Sequence, residues 1–501
     1  MSENNILGTD KRIKLGIWGL GRGARFIETA KALGIDIVAG CDFNPIMQER
    51  LKEACPDVFV TADEDEFLAQ DMDAVLIATF FQSHADHSIK AMAAGKHVLC
   101  EVTSFYTPAE GVRLVEAVEK YGKIYNLAEN YPFMKNGLYV KDLWDKGFFG
   151  DLMYSEFQYV HDVRKLAYTY INGVPIEPAY QLHTWRSWLN FHYYNTHSLG
   201  PLMHITNTRP VMVSAPPSTV HMPGMPCTMG EEKYGSVSVS MIQMSNGGIM
   251  RNLMGTISHD IYHGRIWGTR AFVDLANNQI ALGAQGHSQL LSFTPEWPFM
   301  GEIASKAGHG GGDFWELYYF ARQILTGEKA PWDIYSASDV TIAGIMAVKS
   351  QLNGGIPVEV PDFRDKAVRE KYRNDHFQQE HFDPANIFPE GHDTLITGNY
   401  CKLMKDLDTS LVRTVFDGMK IYKTLSTAND REYILKRAHE LIGKLPEQAE
   451  IYTALQKIAD SYPDTVAAKA INSYIVEGYP EKVLNPEAAR AEIQSWILEN
   501  I

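Results

Sequence analysis

The 501-residue sequence predicts an α/β domain with a doubly wound parallel sheet, then an α+β domain with an open, mostly antiparallel sheet, and last a helical C-terminal extension. Between residues 14 and 146, short apolar runs alternate with helical patterns of about 10–15 residues, which is typical of a parallel sheet. Residues 236–243 and 248–253 alternate around a glycine turn, as antiparallel strands do. From about residue 393 the sequence becomes rich in Ala, Leu, Lys and Glu.

These patterns divide the chain into four predicted segments: the α/β domain (1–150), the α+β domain (151–365), a polar connector (366–392) and the extension (393–501). The first domain is predicted to contain strands at 14–18, 35–41, 73–78, 97–100 and 123–128, and helices at 25–33, 83–94, 108–121 and 135–146. Helices at 314–325 and 337–352 are expected to pack back on it. The extension is predicted to contain helices at 394–407, 408–425, 430–441, 446–461, 465–476 and 486–499, with breaks at Pro446, Pro463, Pro480 and Pro486.

A glycine-rich turn links the first strand to the first helix. Gly19 permits the tight turn, Gly21 leaves room for a phosphate against the backbone, and Ala24 is the small residue where helix and strand pack closely. Backbone N–H groups and the positive end of a helix dipole then face a pyrophosphate. This dinucleotide-binding Rossmann pattern predicts that the cofactor contacts Gly19, Leu20, Gly21, Arg22 and Gly23.

An acidic residue at the end of the second predicted strand indicates which dinucleotide binds. Asp42 follows Gly19 by about 20 residues, where a carboxylate accepts both ribose hydroxyl hydrogens and repels a 2′-phosphate. NAD is therefore favoured over NADP, although Asp42 could simply end a strand. Ligands in such sheets lie at the carboxyl ends of strands. Four more residues at these ends are expected to contact the cofactor: Thr79, His84, Glu101 and Asn130.

Composition narrows the class of partner. The net charge of −15 argues against nucleic acid and anionic membranes. The five cysteines are scattered without a C-x-x-C pair, and no H-E-x-x-H spacing occurs, so neither a disulfide framework nor a metal site is predicted. No apolar run approaches the roughly 18 residues of a membrane span. Residues 1–11 are polar and lack the apolar core of a secretory signal, so we expect a cytoplasmic protein.

Two stretches of the first domain, together with the glycine turn, resemble the Gfo/Idh/MocA oxidoreductases. They are Ala94-Gly-Lys-His-Val-Leu-Cys-Glu101 and Thr79-Phe-Phe-Gln-Ser-His84. Most members of that family continue Glu-Lys-Pro, and the lysine assists hydride transfer at a substrate hydroxyl. This chain has Glu101-Val102-Thr103 instead. The missing lysine argues against simple sugar or polyol dehydrogenase chemistry.

A Glu-Val dipeptide at this place is similar to glycoside hydrolase family 109, an NAD-dependent glycosidase branch of the same superfamily. Tyr159-Val-His-Asp-Val-Arg164 resembles that family's Tyr-Ile-His-Asp-Leu-Arg. Tyr194-Asn-Thr-His-Ser-Leu-Gly-Pro201 resembles Tyr-Pro-Thr-His-Gly-Leu-Gly-Pro, and Gly308-His-Gly-Gly-Gly-Asp-Phe314 resembles Gly-His-Gly-Gly-Met-Asp-Phe. The resemblance spans roughly residues 12–365 and departs from the family pattern at Thr103, Asn195 and Ser198.

The resemblance implies an enzyme that transiently oxidises a sugar hydroxyl with bound NAD, eliminates the glycosidic oxygen, adds water and restores the hydroxyl. Such a cycle needs proton-transfer groups more than a facing pair of carboxylates. Asp313 is expected to be a helix cap or a structural partner, and residues 161–164 fit a structural ion network and a place in the site equally well. The implied site comprises three catalytic residues, Tyr159, His197 and Tyr194, and three substrate-binding residues, Glu129, Arg186 and His309, the last of which would close the site.

Two other functions stay open at this point. One is an NAD-dependent dehydrogenase or epimerase-like enzyme acting on a sugar or cyclitol, and the other is a non-catalytic NAD-binding protein of the same fold. The expected partners are a small carbohydrate and further copies of this chain, because open sheets in this superfamily often form subunit contacts. The extension could be a lid, an oligomerisation arm or a substrate-selecting cap, but a stabilising appendage is the leading interpretation.

Overall fold

The computed structural model describes residues 6–168, 186–187, 189–225, 235–257, 261–283, 289–379, 387–424 and 431–500. The chain forms two compact units. The first unit comprises Met1–His161, Asn190–Ser218 and Ser236–Gln379, and the second comprises Asp162–Leu189, Thr219–Gly235 and Glu380–Ile501. Each unit is therefore assembled from segments that are far apart in the sequence. The domain boundaries drawn from sequence pattern stay predictions.

The first unit contains the predicted parallel sheet, whose six strands lie in the order β3-β2-β1-β4-β5-β6. Every neighbouring pair is parallel. All four residues of β4 are buried, as expected for a parallel strand covered on both faces. The strands β1–β6 are Lys14–Trp18, Asp36–Cys41, Phe59–Thr61, Ala74–Ile77, His97–Glu101 and Tyr125–Ala128. The doubly wound domain is confirmed, and the three-residue β3 is an addition, too short to show a sequence pattern.

Local sequence explains where the helices of this domain begin and end. In α6 the Thr107 side chain accepts from the N–H of Glu110, and the Glu110 carboxylate accepts from the N–H of Thr107, which is a capping box. Pro108 opens that helix, and Gly122 ends it in the left-handed conformation with φ of 61°. Helices α1–α7 are Leu20–Gly23, Ile27–Ala32, Pro45–Ala54, Glu64–Leu68, His84–Ala93, Pro108–Tyr121 and Lys135–Asp145.

The second sheet of this unit has nine strands in the order β14-β13-β12-β11-β7-β10-β9-β8-β15. Only β7 and β10 pair in parallel; the other pairs of this sheet are antiparallel. Buried and more exposed residues alternate along β9 and β10, so one face of the sheet is covered. Strands β7–β15 are Leu152–Val160, Pro210–Ser214, Val237–Met244, Ile249–Gly255, Ile261–Gly268, Ala271–Asp274, Gln279–Leu282, Gln289–Ser292 and Val358–Glu359. The expected open, mostly antiparallel sheet is confirmed.

Two helices that come after strand β14 in the chain pack on the parallel sheet. Helices α8–α13 are Arg164–Ala167, Thr196–Thr206, Gly301–Ala304, Gly312–Thr326, Ile334–Leu352 and Lys366–Tyr372. Both α11 and α12 contact β6, and the N–H of Leu127 in β6 donates to the carbonyl of Trp332 at 3.0 Å. The predicted packing of these two helices on the first domain is therefore confirmed.

The second unit is helical and has its own hydrophobic core. It contains α8 and helices α14–α20, which are Thr394–Thr397, Tyr400–Asp406, Thr409–Thr424, Arg431–Ser461, Val466–Glu477, Pro480–Val483 and Pro486–Asn500. The buried Arg164 donates to Asp162 at 2.6 Å and to Glu477 at 2.7 Å. Asp162 and Arg164 thus form an ion network that ties an early segment of the chain to the C-terminal helices.

One predicted helix break is wrong. Helices predicted at 430–441 and 446–461 form one 31-residue helix, α17, with Pro446 inside it. An interior proline lacks an N–H and crowds the preceding turn, at a cost of about 3 kcal/mol. Leu441 and Leu445 before Pro446, and Ile451 and Leu455 after it, are all buried in one core. We infer that their packing outweighs the local cost.

The other helix boundaries of the extension follow the sequence more closely. Pro463 lies beyond the end of α17, and Pro480 and Pro486 open α19 and α20. The segment predicted as one helix at 394–407 is divided into α14 and α15. No helix within the described ranges is both long and apolar enough to cross a bilayer.

Candidate active site

The glycine turn brings backbone close to backbone at the end of β1. Gly19 has φ of 91°, and a Cβ there would lie 2.4 Å from the carbonyl oxygen of Ala78. At Gly23 a Cβ would lie 2.5 Å from Ile17 Cγ2. Helix α1 starts at Leu20, directly after the turn, and not at residue 25 as predicted from the sequence. Side chains are thus excluded where a pyrophosphate would approach the helix N-terminus, so the turn fits a dinucleotide.

Asp42 braces this turn. Its Oδ2 accepts from the N–H of Leu20 at 2.7 Å, and its Oδ1 accepts from the N–H of Asn44 at 2.8 Å. Burial raises the pKa of Asp42, although both backbone hydrogen bonds act in the opposite direction. Each carboxylate oxygen accepts more than one hydrogen bond, so these contacts are compatible with a ribose hydroxyl as well.

Thr79 lies two residues after β4, and His84 is the first residue of α5. Both side chains form hydrogen bonds to other residues of the protein. Thr79 Oγ1 lies 2.9 Å from His87 Nδ1. His84 is fully buried, with Nδ1 at 2.8 Å from the carbonyl of Thr103 and Nε2 at 3.1 Å from that of Thr79. Burial lowers the pKa of His84, but Cys100 and the two carbonyls outweigh it and raise that pKa to about 9. His84 thus joins the loops after β4 and β5 from behind, and its cofactor contact stays a prediction.

A second cluster gathers around Asp313 at the start of α11. Arg22 donates to both carboxylate oxygens of Asp313, and also to Glu101. His309 Nδ1 lies 2.9 Å from Asp313 Oδ1, and Asn130 Nδ2 donates to the same oxygen at 3.1 Å. The structure therefore brings together three predicted cofactor residues and the predicted lid residue His309. Asp313 is the structural partner that the sequence led us to expect.

Buried polar atoms in this cluster lack hydrogen-bond partners within the described residues. They are Asn130 Oδ1 and both carboxyl oxygens of Glu316. Burial, with nearby Asp313 and Glu101, raises the pKa of Glu316 well above its usual range. Unsatisfied buried polar groups are costly, so a ligand with hydroxyl or amide groups fits here. A dinucleotide carries both.

A histidine and a glutamate form the centre of the other predicted site. His197 lies in the first turn of α9, and Glu129 directly follows the last residue of β6. His197 Nδ1 lies 2.8 Å and 2.9 Å from the two carboxylate oxygens of Glu129, which is fully buried. The N–H of Tyr131 also donates to Glu129 Oε1 at 3.1 Å. Glu129 therefore orients His197, and its expected contact with a sugar hydroxyl stays a prediction.

Three tyrosines surround the His197 ring. Tyr131 stacks on it with a centroid separation of 4.3 Å, and Tyr194 and Tyr159 meet it edge-on at 4.6 Å and 4.9 Å. The three predicted catalytic residues are thus neighbours. Tyr131 was not among the predicted site residues. Its position two residues after Glu129, just past the end of a parallel strand, was the available signal.

The two family departures near His197 are linked to each other. Ser198 Oγ donates to Asn252 Oδ1 at 2.6 Å, and Asn252 Nδ2 donates to Asn195 Oδ1 at 2.7 Å. Asn252 lies in β10 and is fully buried. The departures therefore form one buried hydrogen-bond network that fixes the start of α9 to the second sheet.

The predicted role of Arg186 is not tested by this geometry. Arg186 lies in a short turn of the second compact unit, so its role in substrate binding stays a prediction. Within the described residues, no group of three or more His, Cys, Asp or Glu side chains is placed to hold a metal ion.

Two segments of the first unit match models of known protein families. Residues 13–129 match the oxidoreductase family with an NAD-binding Rossmann fold, GFO_IDH_MocA. Residues 233–370 match the C-terminal domain of glycosyl hydrolase 109. A glycosyl hydrolase family 109 protein of Saccharopolyspora erythraea is 26% identical over 392 residues, which cover 70% of this chain and 83% of the relative. An alpha-N-acetylgalactosaminidase of Shewanella oneidensis is 26% identical over 403 residues, covering 70% of this chain and 85% of the relative.

Solved structures of sugar dehydrogenases share the fold. Levoglucosan dehydrogenase in complex with NADH and levoglucosan superposes with a TM-score of 0.56 at 17% identity, covering 70% of this chain and all of the other. An inositol dehydrogenase homologue of Azotobacter vinelandii, complexed with NADH and myo-inositol, has a TM-score of 0.56 at 18% identity, covering 71% of this chain and all of the other.

The fold, the glycine turn and the two family matches together define an NAD-binding enzyme, and residues 13–129 resemble the Gfo/Idh/MocA oxidoreductases. Residues 233–370 are similar to the C-terminal domain of glycosyl hydrolase 109, and curated relatives named for that family match over 70% of the chain. The family resemblance in the sequence and the expectation of an NAD-dependent enzyme are confirmed.

Proposed function

We propose that the chain is an NAD-dependent glycoside hydrolase that acts by transient oxidation of a sugar hydroxyl, elimination, water addition and re-reduction. The observation that carries this proposal is the His197–Glu129 pair inside a ring of tyrosines. It provides proton-transfer groups of the kind that elimination chemistry needs. A glycosidase working through an oxocarbenium ion would instead need two carboxyl groups flanking the bond.

The glycine turn and Asp42 would hold NAD, which supplies reversible hydride transfer at a sugar carbon. The backbone of Gly19–Gly23 would accommodate the pyrophosphate, and Asp42 the adenosine ribose. Asn130 and Glu316 offer unsatisfied polar atoms on the same side of the sheet, beyond the ends of the strands. These residues bind and orient; they take no part in proton transfer.

His197 is the proposed base for the sugar hydroxyl. Because its Nδ1 faces the buried Glu129 carboxylate, the proton of the neutral ring stays on Nδ1 and Nε2 is left to accept one. Tyr159 and Tyr194 pack against the same ring and supply phenol groups for a second proton transfer. The tyrosine faces also exclude water from the pair, which strengthens its electrostatic interaction.

The runner-up function is an NAD-dependent sugar or cyclitol dehydrogenase. Val102 argues against it, because a buried valine stands where the Gfo/Idh/MocA resemblance implies a lysine that assists hydride transfer, and valine exchanges no proton. The third possibility, a non-catalytic NAD-binding protein, does not explain why the His197–Glu129 pair is buried beside three tyrosines.

A panel of aryl glycosides tests the proposal, beginning with an α-linked N-acetylgalactosaminide because one relative is named for that activity. We expect hydrolysis without added cofactor and a much slower rate when the sugar hydroxyl that is oxidised is removed. An unaffected rate with the 3-deoxy sugar would refute transient oxidation at that hydroxyl. Net NADH formation from free sugars would favour the dehydrogenase, and retained NAD with no turnover would favour the non-catalytic protein.

We also propose that the enzyme is a homo-oligomer. Met153, Met212 and Met241 project from strands β7, β8 and β9 of the second sheet and are exposed. Strands β8 and β9 are neighbours and β10 separates β9 from β7, and exposed apolar side chains on strands of one sheet favour a protein contact there. Light scattering of the purified chain measures the oligomeric state, and substitution of Met153 and Met241 by Lys should dissociate the assembly.

A further inference from the structure

The side chain of Arg22 bridges three separate elements at the edge where dinucleotides bind. Its Nε donates to Glu101 Oε1 at 2.7 Å, and Nη1 and Nη2 donate to Asp313 Oδ2 and Oδ1, both at 2.8 Å. Glu101 ends β5, and β4 lies between β5 and β1 in the sheet. The bridge thus spans two strand intervals, roughly 10 Å, along the carboxyl edge of the sheet. It joins the glycine turn to residues that follow it by up to 291 positions.

This bridge is held firmly at its Asp313 end. The Asp313 side chain is only 2% exposed and accepts from Arg22, His309 and Asn130. Burial alone would raise the pKa of Asp313, but the hydrogen bonds from His309 and Arg22 hold it well below its usual range. These hydrogen bonds therefore favour the charged form of Asp313. Bidentate arginine–carboxylate pairs shielded from water are among the strongest side-chain interactions.

The charges around Arg22 show that it is not a free phosphate ligand. The Arg22 guanidinium donates to two carboxyl groups, those of Glu101 and Asp313, and three of its five N–H donors are used by them. A third acid, Glu316, lies 3.8 Å from Nη2. The Arg22 bridge therefore links the turn to α11, while the backbone N–H groups of the turn stay available to bind the pyrophosphate.

We propose that Arg22 and Asp313 form a clasp that keeps NAD in its site between turnovers. In sheets of this strand order the dinucleotide lies across the carboxyl ends of the strands, which is the edge that the Arg22 bridge spans. Dissociation of NAD would then require the hydrogen bonds between Arg22 and Asp313 to break. This inference rests on the proposed function, because a cycle without net redox change depends on the same NAD remaining bound to return the hydride.

The exchange of bound NAD tests the clasp without any sugar. The full-length protein, purified with its NAD, is mixed with excess ¹³C-labelled NAD, and the labelled fraction bound is followed by mass spectrometry. Arg22→Lys keeps the charge but loses the planar fork, and Asp313→Asn loses the charge that the fork grips. We expect each variant to exchange NAD at least about tenfold faster than the wild type, the usual effect of losing a charge-assisted pair.

The control is Arg25→Lys, an exposed arginine three residues along the same segment, which should exchange at the wild-type rate. Should both clasp variants fail to fold in thermal melts, His309→Ala removes only the partly exposed donor to Asp313, and we expect about threefold faster exchange. Wild-type rates in the folded variants, or fast exchange in the wild type itself, would overturn the clasp. Slow, Arg22-dependent exchange in a protein that hydrolyses no glycoside would instead refute the proposed function and leave the clasp intact.

Discussion

Replacing Glu129 by Gln tests the central pair of the site most directly. The substitution keeps the size of the side chain and an oxygen that accepts from His197 Nδ1 and from the N–H of Tyr131. It removes only the negative charge. Because both contacts survive in neutral form, we expect the protein to fold and to keep its NAD.

The expected loss of activity follows from the burial of this carboxylate. Glu129 is fully buried and lies 2.8 Å and 2.9 Å from the His197 ring nitrogen, so water does not screen the interaction. A hydrogen bond to a charged group contributes about 1.5–3 kcal/mol, which corresponds to roughly 10- to 150-fold in rate. The loss should appear in kcat, because the interaction strengthens when His197 gains a proton.

Steady-state kinetics on the best aryl glycoside measure this split. We expect kcat to fall by about 10²-fold while KM stays within about threefold. Glu28→Gln, at an exposed glutamate of α2, is the matched control and should leave both constants unchanged. A loss confined to KM would show that Glu129 holds a sugar hydroxyl, as the family resemblance first implied. An unchanged kcat in a folded protein would refute the role of the pair.

Three further results are expected. Asn252→Ala should lower the free energy of unfolding by about 1–3 kcal/mol in urea titrations, because it leaves Ser198 and Asn195 without their buried partner; an unchanged midpoint would contradict this. Gly23→Val should purify with far less NAD by mass analysis, since even a Cβ would lie 2.5 Å from a side chain packed under the turn. His84 has a pKa raised to about 9 in the folded state, so its contribution to stability is complete below about pH 6.5 and is lost as the pH rises through 9. Thermal melts across that range should show the decline in the wild type but not in His84→Gln.

The parallel sheet and most helices of the first domain were predictable because their signals are local. The apolar run Ala74–Ile77 and the capping box at Thr107 each depend only on residues a few positions apart in the sequence. Local signals also mislead when packing overrides them. Pro446 is a strong helix breaker, yet α17 continues through it because both flanks bury leucine and isoleucine in one core.

The candidate site was predicted as a set of residues but not as an arrangement. Tyr159, Tyr194 and His197 were identified through motifs, and they are neighbours in the structure. The pairing of His197 with Glu129 was not predicted, since the two residues are 68 positions apart and nothing in the spacing joins them. Tyr131 was overlooked for the same reason.

Composition, apolar periodicity and the glycine turn are enough to specify two sheets, a helical extension and an NAD site, because each depends on residues close together in the chain. Pairings over long separations depend on how those elements pack. Arg22 meets Asp313 across 291 residues, and Arg164 meets Glu477 across 313. Such contacts form only when folding buries opposite charges together and makes an unpaired partner costly. Packing therefore decides which side chains face the cofactor and which support them from behind.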